Sequence, residues 1–394
     1  MKNLVITRAG IIGAAPHRFL DVVYHPDVAV FKYFYFDNEE PNFEVLQELY
    51  LKHRNDLHGE FVGRKFRWTL FLLRNFQMIR NTKDLINVIP SEMLRIITHE
   101  LTKTDILIIG DNDFDYSFFL AGICSLLQIP FVLTFKETRY RENDLIEKLA
   151  IEGAMKVVIP HKGYIEFFKK KHNIDISKKA VFADVDWRSR FVYEQYIRSK
   201  KVQKLSQKDN RIHVCILASR AIWDKNETRS QGRYYYLDII EDLLKASFVV
   251  HLHTKAIIKS LDEPVVIKDN PYTMLAKKYR GQFLIEKPID LRFPEGYYEL
   301  MKYDLGLLTS GKRGDPFFME FEQYNIPNRY YEYKMAGVIP IAPKGILKYM
   351  EEEFDDVLFF EKPEDIYSHP LLNRKSENTR FYKDLISEIL DSVF

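Results

Sequence analysis

The densest group of chemically capable side chains lies at Pro327 to Pro343, PNRYYEYKMAGVIPIAP. Asn328 to Ala336 reads as a short helix that Gly337 can end, and VIPIA after it reads as a strand. Glu332 falls in the first turns of that helix, where the dipole favours a negative charge. A carboxylate so placed accepts hydrogen bonds from vicinal hydroxyls while neighbouring backbone N–H groups hold a phosphate. Asn328 and Arg329 stand beside it.

Other stretches carry weaker versions of the same chemistry. In LASRAIWDK, Leu217 to Lys225, the cations Arg220 and Lys225 follow a strand, where they can neutralise a diphosphate. Two basic residues five apart are also common on solvated loops. TRAGIIGAAPHRF, Thr7 to Phe19, places Gly10, Gly13 and His17 between a strand and a helix. Glycines there let a ligand approach the backbone, although the spacing is not that of a dinucleotide fingerprint and a plain tight strand-to-helix turn is the simpler reading. In HLHT, His251 and His253 share one strand face; with no further Cys, Asp or His in reach they read as polar residues of a ligand cleft, and no metal site is expected. The run DNDFD from Asp111 to Asp115 follows another strand and reads as a solvated acidic loop or a cation contact.

These residues need strands to position them. Short apolar runs alternate with amphipathic stretches, the pattern of a parallel α/β sheet. In the first half the runs fall at Leu4 to Thr7, Val28 to Phe36, Asp105 to Gly110, Pro130 to Phe135, Lys156 to Pro160 and Ala180 to Ala183. The second half restarts at Ile212 to Ala218 and continues through Ser247 to Thr254, Gln282 to Glu286, Asp304 to Ser310, Val338 to Pro343 and Val357 to Phe360, with a helix around Tyr235 to Lys245. Continuous runs such as ILII imply strands covered on both faces. The lysine-rich stretch from Tyr193 to Arg211 has no apolar period and marks a boundary. The expected organisation is two Rossmann-like α/β domains with parallel sheets facing a central cleft, residues 1–195 and 205–377, with a C-terminal helix at about 378–394 that packs back on the first. Ligands of such sheets bind beyond the carboxyl ends of the strands.

Composition narrows the function classes. The 394 residues are 46% apolar and 29% charged, ordinary for a folded chain of two domains, and the net charge of +2 lacks the basic bias of a dedicated nucleic-acid binder. Cys124 and Cys215 sit in apolar runs and read as buried thiols of a reducing compartment. No apolar run approaches the length of a membrane span and no signal peptide is evident, so a cytoplasmic protein is expected.

PNRYYEYKMAGVIPI resembles the segment that closes the donor site in GT-B glycosyltransferases of the large retaining, GT4-like group (glycosyl transferases group 1), usually P-x-K-x-x-E-Y-x-x-A-G-x-P. By that resemblance Glu332 binds the ribose of a nucleotide sugar and Arg329 replaces the usual lysine. SRAIWDK is similar to the G-R-x-x-x-x-K phosphate motif, which puts Arg220 and Lys225 on the departing diphosphate, with Ser219 where Gly is usual. The resemblance implies transfer of a sugar from a nucleotide diphosphate sugar to a glycan or lipid-linked acceptor held by the first domain, with retention, without a cofactor or metal, in surface polysaccharide synthesis. His253 falls among the donor-binding positions, and Gly13, His17, Lys136 and Asp111 on the acceptor side.

Two departures from the family pattern stand out. The group often carries two glutamates separated by seven residues, and the earlier position here is Tyr324, with Glu320 and Glu322 close by. The Thr-x-His after a first-domain strand is replaced by TFK, which puts Lys136 at the histidine position and leaves His17 or His161 as substitutes. A sugar-nucleotide epimerase, or a non-catalytic nucleotide- or glycan-binding relative, shares the expected architecture. Finally, Arg64 to Arg80 holds five cations, no acid and nine large apolar residues. Such a basic amphipathic helix suits either the anionic inner face of a membrane or its own sheet.

Overall fold

A computed structural model describes residues 2–7, 18–36, 47–48, 50–56, 60–66, 98–99, 101, 104–110, 114–136, 145–227, 233–309, 320, 322–373 and 380–394. The chain divides into two compact units, one of Met1–Val192 with Arg380–Phe394 and one of Tyr193–Thr379. Both are α/β, and every strand pairing among the described residues is parallel.

In the first unit the strands are β1 (Lys2–Thr7), β2 (Val28–Phe36), β3 (Glu60–Phe66), β4 (Ile106–Gly110), β5 (Val132–Thr134), β6 (Lys156–Ile159) and β7 (Ala180–Phe182). They form one sheet in the order β3-β2-β1-β4-β5-β6-β7. The order reverses direction between β1 and β4, the place where an open parallel sheet leaves a crevice. All of β4 is buried, as its unbroken ILII predicts. Helices α1 (Arg18–Val23), α2 (Phe114–Leu126), α3 (Leu145–Gly153) and α4 (Gly163–His172) belong to this unit.

The second unit has β8 (His213–Ala218), β10 (Val249–Thr254), β12 (Phe283–Glu286), β13 (Leu305–Leu307), β14 (Ile339–Pro343) and β15 (Leu358–Phe360), in the order β12-β10-β8-β13-β14-β15. Its switch point lies between β8 and β13. A separate pair joins β9 (Ala221–Ile222) to β11 (Ile257–Ile258). Helices α5 (Ser206–Asp209), α6 (Leu237–Lys245), α7 (Pro271–Lys278), α8 (Pro294–Leu300), α9 (Arg329–Met335) and α10 (Lys348–Glu353) complete it. Its core packs α6 through Ile240 and Leu243 onto Ile216, Val250 and Leu305 of the sheet. Asn270 caps α7 by accepting from the N–H groups of Tyr272 and Thr273, and Pro271 occupies the first helical position.

Two sequence expectations need correction. Glu60–Phe66 is a strand that the apolar pattern does not announce, so Arg64 to Phe66, expected to open a basic amphipathic helix, instead close β3. The strand lies at the edge of the sheet and pairs only with β2, so burial on both faces is not required of it. The rest of that stretch lies outside the described residues. The pair β9 and β11 was also unannounced, because two-residue strands carry no period.

The C-terminal helix α11 (Tyr382–Val393) belongs to the first unit, burying Tyr382, Leu385, Ile386, Ile389 and Leu390. A single carboxylate ties it down. Asp21 of α1 is fully buried and accepts from the N–H groups of Lys383 (2.8 Å), Arg190 (2.8 Å) and Phe191 (3.0 Å) and from the Ser189 hydroxyl (2.7 Å). It thereby joins α1, the turn at Arg190–Val192 and the start of α11. Burial raises its carboxyl to about 6 against these four hydrogen bonds.

A raised carboxyl means that the folded chain holds this proton more tightly than the unfolded chain. The associated stabilisation is therefore present below about pH 4 and lost as pH rises through about 6. Urea unfolding of the native protein and of Asp21→Asn should show a stability difference that changes in the variant's favour by up to about 3 kcal/mol between pH 4 and pH 7. Parallel pH profiles would mean that Asp21 stays ionised throughout.

Candidate functional site

Helix α9 delivers Glu332 and Arg329 to the carboxyl edge of the second sheet. It follows β13 in the chain, and Gly337, at φ +66°, ends it so that β14 can return to the sheet. The positive φ is one that a side chain would strain. Asn328 has helical backbone angles and makes no side-chain cap on α9.

What holds α9 in place is the ring of Tyr333. Its hydroxyl donates toward Cys215 O (3.1 Å) of β8 or Leu307 O (3.4 Å) of β13, and it accepts from Leu217 N at 3.3 Å. The ring lies on Gly306 so closely that a Cβ there would come within 2.5 Å of it. The switch point between β8 and β13 is thus filled by one tyrosine and made possible by one glycine.

On the next positions of α9, Glu332 is only 3% exposed and accepts a 2.7 Å hydrogen bond from the Tyr297 hydroxyl of α8. Arg329 donates from Nη2 to the Tyr236 hydroxyl at 3.2 Å, and its buried Nη1 has no hydrogen-bond partner among the described residues. Tyr236 is itself anchored, its N–H donating to Tyr272 Oη at 2.9 Å. A guanidinium nitrogen left without an acceptor in a buried setting is costly and calls for an anionic or hydroxyl-bearing ligand.

The remaining expected donor-side residues take varied places. Arg220 is exposed just beyond β8, its guanidinium 5.5 Å from the Tyr234 ring centre. Lys225 makes an exposed ion pair with Asp238 at 2.9 Å, which a ligand phosphate can replace at little cost. Glu322 is buried with Arg233 Nε at 3.0 Å from Oε1. Tyr324 stacks on Tyr349 with ring centres 5.1 Å apart, a packing role where the family pattern has a second glutamate.

His253 is buried and lies at the wall of a pocket of about 500 Å³ that includes Glu286, Lys287, Asp290, Phe293 and Glu299. Its Nδ1 meets Lys287 O at 2.7 Å, so this nitrogen carries the proton, and Nε2 lies 2.8 Å from Tyr303 Oη and 3.1 Å from Glu286 Oε2. Burial lowers the affinity of this ring for a second proton, against the pull of the Lys287 carbonyl and Glu286. His251 binds the other oxygen of the same carboxylate, Nδ1 to Glu286 Oε1 at 2.8 Å. Among the described residues no group of three or more His, Cys, Asp or Glu side chains is arranged to hold a metal ion.

In the first unit, Lys136 follows β5 and lies 3.4 Å from Asp186 Oδ2, while Arg18 Nη2 binds Asp186 Oδ1 at 2.8 Å. Burial would raise this carboxyl, but Lys136, Arg18 and Arg188 hold it at about 2. His161 is buried, its Nδ1 accepting from Gly163 N at 3.2 Å. Gly13, His17 and Asp111 lie outside the described residues. No described helix is long and apolar enough to cross a membrane.

Sequence reasoning missed Tyr297, Tyr333, Gly306 and Glu286. Glu286 was within reach, since it ends the apolar run QFLIE at the strand end where ligand residues gather. The others gave no local signal.

No family model matches the chain, and no curated protein matches it in sequence. Among solved structures it is similar to HepE of Anabaena in complex with UDP and glucose, at 12% identity over 100% of both chains with a TM-score of 0.49. It is similar to UDP-GlcNAc 2-epimerase of Methanocaldococcus jannaschii in complex with UDP-GlcNAc and UDP, at 12% identity over 98% of this chain and 99% of that one with a TM-score of 0.46. A third, heptosyltransferase WaaC of E. coli with ADP, matches at 9% identity over 99% of this chain and 98% of that one, with a TM-score of 0.33.

The contact between Tyr333 and Gly306 makes a prediction about stability. Gly306→Ala should destabilise the second unit by about 1–3 kcal/mol through overpacking. In a Tyr333→Leu background, where the ring is gone, the same substitution should cost measurably less. Equal costs in the two backgrounds, read by urea unfolding, would remove Tyr333 as the residue that Gly306 accommodates.

Proposed function

We propose that this chain is a glycosyltransferase that uses a nucleotide diphosphate sugar, with the donor bound by the second unit and a glycan or lipid-linked acceptor by the first. The observation that carries this proposal is the pairing on one turn of α9 of a buried carboxylate, Glu332, with the half-buried Arg329, whose buried guanidinium nitrogen Nη1 has no hydrogen-bond partner among the described residues. A carboxylate for vicinal hydroxyls and a cation for phosphate, at the carboxyl edge of a doubly wound sheet, match the two ends of a ribosyl diphosphate.

Around that pair, Glu332 would accept from the ribose hydroxyls, and its bond from Tyr297 would hold it in position. Phe293, half exposed at the pocket beside His253, offers an aromatic face to a base. Arg220 and Lys225 would meet the diphosphate, whose charge grows as the sugar departs. Cations fixed at such a position lower the barrier because they act where charge develops. In this proposal the sugar is transferred with retention, the departing phosphate assisting attack from the same face, no metal takes part, and the product is a surface polysaccharide.

One feature favours a second reading. His253 and Glu286, in contact at the wall of the pocket, are the kind of acid and base pair that epimerisation of a sugar nucleotide requires. An epimerase would convert its nucleotide sugar with no acceptor present, whereas a transferase would not.

Thermal unfolding with a panel of UDP-, GDP-, dTDP-, CDP- and ADP-sugars, with and without EDTA, tests the donor site. Ligand at a hundredfold excess over its dissociation constant should stabilise the fold by about 2.7 kcal/mol. One base should be preferred, EDTA should not matter, and Glu332→Ala should abolish the shift. Arg220→Ala should lower kcat by about 10²–10³ while changing donor affinity far less. No shift with any member of the panel, or unchanged turnover in Arg220→Ala, would sink these assignments.

A further inference from the structure

A chain of hydrogen bonds leads from the surface of the second unit to the wall of the His253 pocket. Asp209, the last residue of α5, has Oδ1 3.1 Å from His213 Nε2. His213 Nδ1 lies 2.9 Å from His251 Nε2, and His251 Nδ1 lies 2.8 Å from Glu286 Oε1. The middle of this chain is buried, with His213 and His251 each 5% exposed, whereas Asp209 is open to solvent.

The protons in this chain can be counted. Both ends are carboxylates, and both are held below their ordinary range. At Asp209 burial alone would raise the carboxyl, but the bonds from His213 and Arg211 together outweigh it and set it at about 2, and at Glu286 the bond from His251 outweighs burial. Ionised carboxylates only accept. Three links therefore need three protons on the four imidazole nitrogens, and two neutral rings supply two. The chain closes fully only when His213 and His251 share one additional proton. Without it one link must face two acceptors toward each other, and the Asp209 end can open most easily. That carboxylate already binds Arg211, from Nε to Oδ2 at 2.9 Å and from the backbone N–H to Oδ1 at 3.0 Å.

We infer that Asp209, His213, His251 and Glu286 form one proton-sharing chain through which an exposed carboxylate sets the charge of the pocket wall, so that an anionic ligand binds there with uptake of a proton. The ligand part of this inference rests on the donor site proposed above; the chain itself does not.

The surroundings make the proton conditional. Burial lowers the proton affinity of His213, and the bond to Asp209 opposes that. Asp304 accepts from the His213 backbone N–H at 3.0 Å and lies 3.9 Å from Lys204. The Tyr303 ring sits 4.9 Å from that of His251, and its hydroxyl meets Glu286 Oε2 at 3.3 Å. The Cys215 thiol, pushed up by burial, stays neutral beside them. On the pocket side, His253 meets the same carboxylate, and Lys287, Glu299 and Asp290 line the pocket with it. With Glu286, Glu299 and Asp290 at the pocket, an arriving diphosphate adds negative charge, and the added imidazolium offsets it. By linkage, affinity then rises as pH falls, by at most about tenfold per pH unit for one proton.

Asp209→Asn is the discriminating variant. An amide turned with its NH2 toward a neutral His213 can donate to that ring while its oxygen still accepts from Arg211 Nε, at the loss of the bond from the Arg211 backbone N–H, so the chain closes with two protons and the third is no longer required. Asp209 is exposed, so the variant should fold, and Asp209→Ala provides a second case that removes the link outright. With histidine-selective labelling, NMR of the native protein should show the signals of the His213 and His251 rings changing together over a single one-proton step. Both variants should remove that step from His251 as well as from His213. A His251 titration unchanged by either variant, or two independent steps in the native protein, would overturn the chain.

Calorimetry with UDP-glucose in buffers of different ionisation heat reads the second part, since its diphosphate does not titrate in this range. About one proton should be taken up by the native protein and none by Asp209→Asn. Equal uptake in the two proteins overturns the coupling. If none of UDP-glucose and the corresponding GDP-, dTDP-, CDP- and ADP-sugars binds, the donor site and the coupling to it both fall, while the imidazole titration still decides whether the chain shares its proton.

Discussion

The second unit is organised around the contact of Tyr333 with Gly306. An open parallel sheet must reverse its winding direction somewhere, and at that place no crossover helix covers the gap between the two central strands. Here the gap lies between β8 and β13, and the Tyr333 ring fills it from α9, with hydroxyl contacts to both strands. Because the ring is fixed by backbone groups of two buried strands, α9 cannot rotate. Glu332 and Arg329, one and four residues earlier on the same helix, are therefore held at the carboxyl edge with defined directions. Glycine at position 306 is the condition for this, since any Cβ would occupy the space of the ring.

The two units handle buried charge in different ways. The first concentrates it into closed clusters. Asp21 accepts four hydrogen bonds and joins three segments distant in sequence, while Asp186 gathers Arg18 and Lys136 around one carboxylate. Such clusters are costly to bury and costlier to break, which makes them determinants of which segments meet. The second unit instead threads its buried polar groups into a line, Asp209 to His213 to His251 to Glu286 to His253, that begins at solvent and ends at a pocket. Closed clusters suit rigidity, and a line with one proton too few suits response.

Much of the fold was legible in the chain. Ile106 to Gly110 announces a buried parallel strand because a strand covered on both faces is apolar without interruption, and the largely apolar runs Val28 to Phe36 and Val249 to Thr254 announce the strands found there. Gly337 announced the end of α9, since few other residues tolerate its φ. By contrast β3, EFVGRKF, is charged and glycine-bearing, and at the edge of its sheet nothing forces an apolar pattern on it. Tyr324 read as the loss of a glutamate, and its stacking on Tyr349 gives it a packing role that no local spacing conveys.

The sequence by itself determined the class of fold, the direction of its sheets, the short helix with Glu332 in its first turn and the glycine that stops it. All of these follow from periodicity and backbone preference within a few residues. Tertiary structure decided which groups those residues meet: Tyr297 on Glu332, Tyr236 on Arg329, Tyr333 on Gly306, and Glu286 between His251 and His253. Those pairings join residues 27 to 93 positions apart. They are set by the order in which strands enter the sheet, and no spacing along the chain encodes that order.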